Sequence, residues 1–411
     1  MRSAGPLRST AVRVGGAAVA MVLVAELAVW VLSPGEQPPD PVPVAASRYF
    51  APAELERAVD FRDGQRWLAI GGLAIEGALL LTLALGHPAP VRRRLERLAA
   101  RPVLGAAAAG AGISLLTRVA LLPPDLVAHE RAVDVGISTQ SLSSWLWDVA
   151  RSTAIGMLIA AGAAALLIAL VRRLPRRWWI PGSAIVTGLA VVFVWIAPVL
   201  LAPVFNRFEA LPEKSRARAG LIALGERAGV EIGDVYRIDA SRRVRSLNAY
   251  VDGIGSSKRV VLYDNLLREA NRQELNSIVA HDDIRRGLLF VAIVSPLGLL
   301  FARELALALA RRSGTDPATP AALPAYLFAI ALASTERESW LPGIWRTKAA
   351  SADGFALQLT GDPAAQIAVQ RRLARTNLSD PDPPALAQIL FGTHPSTIDR
   401  IGSAIAYRRA D

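Results

Sequence analysis

The chain has 411 residues, 52% of them hydrophobic, with a mean hydropathy of +0.34 and a formal net charge of +11. That length would fit two or three soluble domains, but so apolar a composition excludes an ordinary soluble architecture. The absence of cysteine excludes disulfides and thiolate metal sites, and the positive balance points to charge asymmetry between membrane loops rather than to nucleic acid.

A bilayer core needs roughly 20 mainly apolar residues to cross it. In chain order the runs of that kind are Val12 to Leu32, Trp67 to Leu85, Val103 to Leu122, Thr153 to Val171, Trp178 to Pro203, Gly287 to Ala302 and Ala321 to Ser334, the last two being shorter. The first follows Arg2, Arg8 and Arg13, as a signal peptide would. Its apolar core is longer than the roughly 7 to 15 residues usual there, and no clean cleavage site follows, so it reads as a retained helix. Arg92, Arg93, Arg94, Arg97 and Arg101 crowd one connection, and Arg172, Arg173, Arg176 and Arg177 another. If the spans alternate, both lie on one side, which the loop-charge rule makes cytoplasmic. Glu26, Glu76 and Arg118 fall within spans. Such charges usually face a bundle interior, so Glu76 and Arg118 either pair across helices or Arg118 snorkels to its helix end.

Soluble segments follow the fifth and seventh spans. "LPEKSRARAGLIALGERAGV" is a helix by its apolar spacing, and "DVYRID" and "KRVVLYDNLL" are short β-branched and aromatic runs that read as strands. Between them "RSLNAYVDGIGSS" supplies a turn. "REANRQELNSIVAH" reads as a helix with Leu275, Ile278 and Val279 on one face, placing His281 in its C-terminal part.

At this point several pieces agree in order and spacing: "GISTQS" at 136 to 141, "PVFNRF" at 203 to 208, "NAYVDGIG" at 248 to 255, "RVVLYDNLL" at 259 to 267, "VAH" at 279 to 281, and "ALQLTGDP" leading on to "HPSTIDRI". Together the chain resembles the membrane zinc metalloendopeptidases of the CAAX prenyl protease type 1 family. The resemblance implies a mainly α, multi-pass membrane helical bundle with a small gluzincin-like α+β peptidase domain. The division expected is 1–203 for an N-terminal membrane region of about five helices, 204–286 for a peptidase-like domain with a small sheet, 287–334 for two further membrane helices, and 335–411 for the C-terminal helical part of the peptidase-like domain. It also implies a cell-membrane protein acting on an extended peptide or membrane-protein substrate within the lipid bilayer, with a cytosolic soluble domain. That last point opposes the arginine-rich loops, so the side stays open.

In the family an H-E-x-x-H helix binds zinc through two His one turn apart, its Glu serves as general base, and a later E-x-x-x-D element gives the third ligand. Here His281 matches the first ligand, Asp282 the general-base position and Arg285 the second ligand. Alternatively "AHDDIRRG" joins the two ends of a longer segment after loss of about seven residues, two helical turns that shift the phase by only about 20°. Asp353 matches the Asp of E-x-x-x-D, which puts Ala349 at the ligand Glu. His394 and Arg400 match a pair used near the reacting carbonyl and in holding that Asp. Asn248, with Tyr250 beside it, matches an edge-strand contact for the substrate backbone, where an extended peptide can add as a strand.

Catalytic zinc needs three protein ligands and an open position, so zinc, implied by the family, is in doubt for this chain. Two functions follow. One is a zinc-free pseudopeptidase that holds peptides along Asn248. The other is an active metalloendopeptidase with ligands such as Asp282, Asp283 and a distant Glu; a purely structural membrane protein is a third.

Overall fold

The computed structural model describes residues 5–32, 39–86, 89–196, 202–227, 232–252, 259–271, 275, 284–392 and 394–410. Long helices dominate. α1 (Gly5–Leu32), α2 (Pro52–Leu85), α4 (Pro102–Asp134) and α5 (Leu142–Arg173) are joined by the short amphipathic α3 (Ala89–Leu98) between α2 and α4. α6 (Trp179–Ile196) and α7 (Ala202–Phe205) lead to the soluble part, and the chain re-enters the bundle through α10 (Ile284–Ser313) and α11 (Leu323–Thr360).

Five segments, Thr10–Leu32, Pro52–Leu85, Pro102–Asp134, Leu142–Arg173 and Leu288–Ser313, are long and apolar enough to cross a membrane. Trp179–Val194 and Pro320–Ser334 are shorter apolar helices. The chain is a multi-pass membrane protein, as the apolar runs predict. The fifth run extends past Ile196 into residues 197–201, which lie outside the described residues. The sixth run belongs to a 30-residue helix, longer than expected. Their outer faces are lipid-facing: Leu158 is 75% exposed and Leu189 57%, which no water-facing helix would tolerate in a row of such neighbours.

Inside the bundle, Leu80, Ile113, Ala164, Ile168 and Leu323 form one buried cluster from α2, α4, α5 and α11. Water exclusion adds little between helices in lipid, so close backbone approach has to supply the contact. Gly110 provides it: a Cβ there would sit 2.6 Å from the Ala164 Cβ and 2.7 Å from the Ala160 carbonyl. Arg118 is not paired with Glu76. It pairs with Asp125, two turns on along α4, because the same helix face offers a carboxylate nearer than the neighbouring helix does.

The soluble part holds a four-stranded sheet in the order β1 (Phe208–Ala210), β2 (Asp234–Ile238), β4 (Arg259–Tyr263), β3 (Ala249–Asp252). β2 and β4 are parallel, and the two outer pairings are antiparallel. Alternation sets the two faces. Val235, Val260 and Leu262 pack with Leu221 and Leu224 of α8 (Arg216–Arg227) and Leu266 of α9 (Asp264–Glu269), whereas Val261 and Ile238 face Ala240 on the other side. The segment read as a turn, with Asn248 matched to an edge-strand contact, contains the strand β3. α12 (Pro363–Thr376), α13 (Ala385–Phe391) and α14 (Thr397–Ala410) complete the C-terminal part. α11 runs unbroken across the 334/335 division and ends at Gly361, whose φ of +59° is the left-handed cap glycine favours.

Two sets of contacts join the sheet to the bundle. The Thr139 amide donates to the Arg243 carbonyl at 2.9 Å, and the Arg245 amide to the Ile137 carbonyl at 2.8 Å. Arg243 in turn reaches Asp148 on α5 at 2.8 Å. The "GISTQS" segment is therefore a splice between the α4–α5 connection and the loop before β3.

Candidate functional site

Asp353 lies on α11, only 2% exposed, and a carboxylate so buried needs partners. Arg400 of α14 grips it with two hydrogen bonds, Nε to Oδ2 and Nη2 to Oδ1, each 2.6 Å. Gln366 of α12 donates from Nε2 to Oδ1 at 2.8 Å. Planar guanidinium against planar carboxylate is the strongest form of this contact and fixes both partners in orientation. Residues from three helices thus converge on one carboxylate. Ala349 stands one turn before it on the same helix, also buried, and offers a methyl group.

Arg400 and His394 line one cleft of about 480 Å³ between α2 and the C-terminal helices, with Arg62, Arg66, Asn377 and Asp380. His394 is exposed, and its carbonyl accepts from Gln388 Nε2 at 2.7 Å. The cleft walls are tied to each other. Arg62 donates to the Leu378 and Asn377 carbonyls at 2.8 and 2.6 Å, and Arg66 meets Asp380 at 3.1 Å. Beside it Asp382 has its carboxyl pushed up from the ordinary range by burial and by the neighbouring charges of Asp380 and Asp399.

Asn377 also connects the cleft to the sheet. Its Oδ1 accepts from the Leu247 amide at 2.8 Å and its Nδ2 donates to the Leu247 carbonyl at 3.1 Å, imitating a strand partner. Leu247, 1% exposed, is pinned there. Asn248, next along the chain, is exposed, and its carbonyl accepts from the Tyr263 amide at 3.1 Å. Tyr250 follows on β3, an outer strand of the sheet among the described residues. Asp264, at the start of α9, is pushed up by burial. Hydrogen bonds from the Ser241 hydroxyl and amide, with Arg268, outweigh this and hold it below its usual range.

The sequence-predicted residues thus divide into three groups. Asp353, Arg400 and His394 come together around one cleft. Asn248 and Tyr250, just before and on β3, follow Leu247, which Asn377 ties to the cleft. His281 and Asp282, with the side chain of Arg285, lie outside the described residues. Gln366 and Asn377 were not expected; each is a polar residue on or just after an ordinary helix, with no spacing signal to mark it. Among the described residues no three His, Cys, Asp or Glu side chains form a group able to hold a metal. At the position where the resemblance expects the third metal ligand stands Ala349, whose side chain has no donor atom.

Residues 217–408 match the profile of peptidase family M48, and residues 130–207 that of the CAAX prenyl protease N-terminal region with five membrane helices. The chain is 27% identical over 369 residues to an uncharacterized metalloprotease, YhfN, of Bacillus subtilis strain 168, covering 87% of this chain and 86% of that one. It is 28% identical over 148 residues to a CAAX prenyl protease 1 homolog of Arabidopsis thaliana, 36% of this chain and 35% of that protein. Its fold is similar to the crystal structure of S. mikatae Ste24p, with a TM-score of 0.74 at 17% identity over 96% of this chain and 98% of that chain.

Proposed function

The chain belongs to peptidase family M48, and from that premise we propose that it is a catalytically impaired member, a pseudopeptidase that holds an extended peptide without cutting it. The observation that carries this reading is the pair Ala349 and Asp353. The carboxylate behind the metal position is retained with its Arg400 and Gln366 partners, while the ligand position one turn earlier is a methyl. Without a metal that lowers the pKa of bound water from about 15.7 to about 7, the attacking hydroxide itself is missing. Arg285 at the second ligand position adds repulsion for a dication.

What remains suits recognition. β3 is an outer strand with Asn248 at its exposed start, and an extended peptide pairing there gains main-chain hydrogen bonds. His394 and Arg400 share the adjoining cleft. Arg400 is committed to Asp353, so its part is to shape the cleft rather than to touch a reacting group.

The test is metal content and cleavage together. Protein purified in detergent should carry far less than one zinc per chain by elemental analysis and leave casein intact, while binding an extended peptide. One zinc per chain with chelator-sensitive cleavage would refute the proposal and favour ligands drawn from Asp282, Asp283 and a distant Glu.

A further inference from the structure

The segment between Pro381 and Ile398 is an excursion from the C-terminal part, closed at its base. The Ile398 amide donates to the Pro381 carbonyl at 3.2 Å, and beside that base Asp380 holds Arg66 of α2. From Pro383 to Ile398 no residue is Asp, Glu, Lys or Arg, although Asp382 and Asp399 stand just outside. The excursion carries α13, which Pro383 and Pro384 lead into and which rests on α11.

α13 has two opposite faces, set by a turn of about 100° per residue. Ala387, Gln388 and Phe391 fall on one side and line the cleft that holds His394 and Arg400. Leu386, Ile389 and Leu390 fall on the other, where Leu386 is 67% and Ile389 51% exposed. Three adjacent aliphatic side chains turned outward, with no charge among them, mark an interaction surface.

The level at which α13 sits identifies what covers that face. The same cleft is lined by Arg62, Gln65, Arg66 and Ala69 of α2. Arg66 is the last charged residue before the apolar run that opens at Trp67, and Ala69 lies two residues, about 3 Å, beyond Trp67 along the helix. Trp67 is exposed, at the place where Trp is enriched in membrane proteins, the boundary between water and lipid. Ile70 and Leu73, also exposed, carry the apolar surface onward from there.

We propose that α13 is an interfacial lipid-contact helix: Leu386, Ile389 and Leu390 dip among the acyl chains just below the headgroups, while the opposite face of the helix closes the cleft. Lipid is the occupant because the patch continues the lipid-facing surface of α2 and because Asp382 and Asp399, both exposed, keep the base of the excursion in water. One wall of the cleft is thereby seated in the bilayer. This inference stands apart from the peptide-holding role proposed above.

The chain has no cysteine, so a single introduced thiol can carry a bimane fluorophore. Leu386→Cys and Ile389→Cys are compared in liposomes with two exposed references, Leu158→Cys on the lipid-facing side of α5 and Glu213→Cys on the soluble part. With phospholipids spin-labelled at shallow and middle depths of the acyl chain, quenching at 386 and 389 should approach that at 158 and exceed that at 213 roughly fivefold, and iodide in the water should give the reverse order. Melting in detergent alongside the parent identifies folded variants, and the two positions are read separately, so either one decides. Lipid quenching as weak as at 213 with strong iodide quenching would show the face bare in water, and shielding from both quenchers would show it covered by protein; either result overturns the proposal.

Discussion

Replacing Arg400 by methionine should remove the guanidinium that pairs with the buried Asp353 carboxylate. Asp353 has 3% of its side chain exposed and Arg400 12%, so solvent does little to compensate for the lost pairing. The Gln366 amide at 2.8 Å would be the partner left of the contacts described. Removing one member of such a pair costs about 3–5 kcal/mol because a buried charge is left behind, whereas replacing both by apolar groups is often neutral. At roughly 2–4 °C per kcal/mol for a unit of 150–250 residues, thermal unfolding in detergent should fall by about 6–20 °C. Asp353→Leu alone should cost less, because the guanidinium opens onto the cleft through Arg400. The Asp353→Leu/Arg400→Met double variant should recover most of the loss. If Arg400→Met melts within about 1 °C of the parent, or if the double variant loses the sum of the two single losses, the pairing does not hold these helices together.

Other outcomes follow from single contacts. Among the described residues the buried Tyr326 hydroxyl has no hydrogen-bond partner, so Tyr326→Phe should keep or raise thermal stability by up to about 1–3 kcal/mol; a clear loss would reveal a partner. Ser241→Ala removes a donor to ionised Asp264 and should cost about 1.5–3 kcal/mol near neutral pH. Because the folded pKa of Asp264 is lowered, this stabilisation is present above the unfolded carboxylate range and fades as pH falls through the folded value; melting curves of variant and parent should converge in acid. Asp382 has the opposite sign: its raised pKa means the charged form is disfavoured in the fold at neutral pH. Asp382→Asn should therefore raise the melting temperature slightly at pH 7 and lose that advantage as pH falls through the carboxylate range, and a gain confined to acid would contradict the assignment.

The membrane helices were legible because lipid demands long apolar runs with internally satisfied backbones, a constraint written along the chain itself. Their ends were less so: the apolar run from Gly287 to Ala302 does not reveal that its helix continues to Ser313. β2, β4 and α8 could be read from local pattern, but three-residue β1 and four-residue β3 could not. Their pairing depends on partners up to about 30 residues away in the chain. The reading of Ala349 as standing where a ligand is expected came only through the resemblance, since alanine in a helix carries no signal of its own. The contacts of Gln366 and Asn377 became apparent only once α12 was set against α11 and its following turn against Leu247.

The unbroken course of α11 makes it a lever. Its 38 residues span about 57 Å at about 1.5 Å each, and rocking such a rod by about 10° swings its tip by roughly 10 Å. Hydrophobic mismatch tilts helices. Thinner or thicker bilayers at the Leu323 end would thus be felt as leverage on the Arg400 clamp at the other, making the shape of the Asp353 cleft responsive to the lipid in which the protein sits.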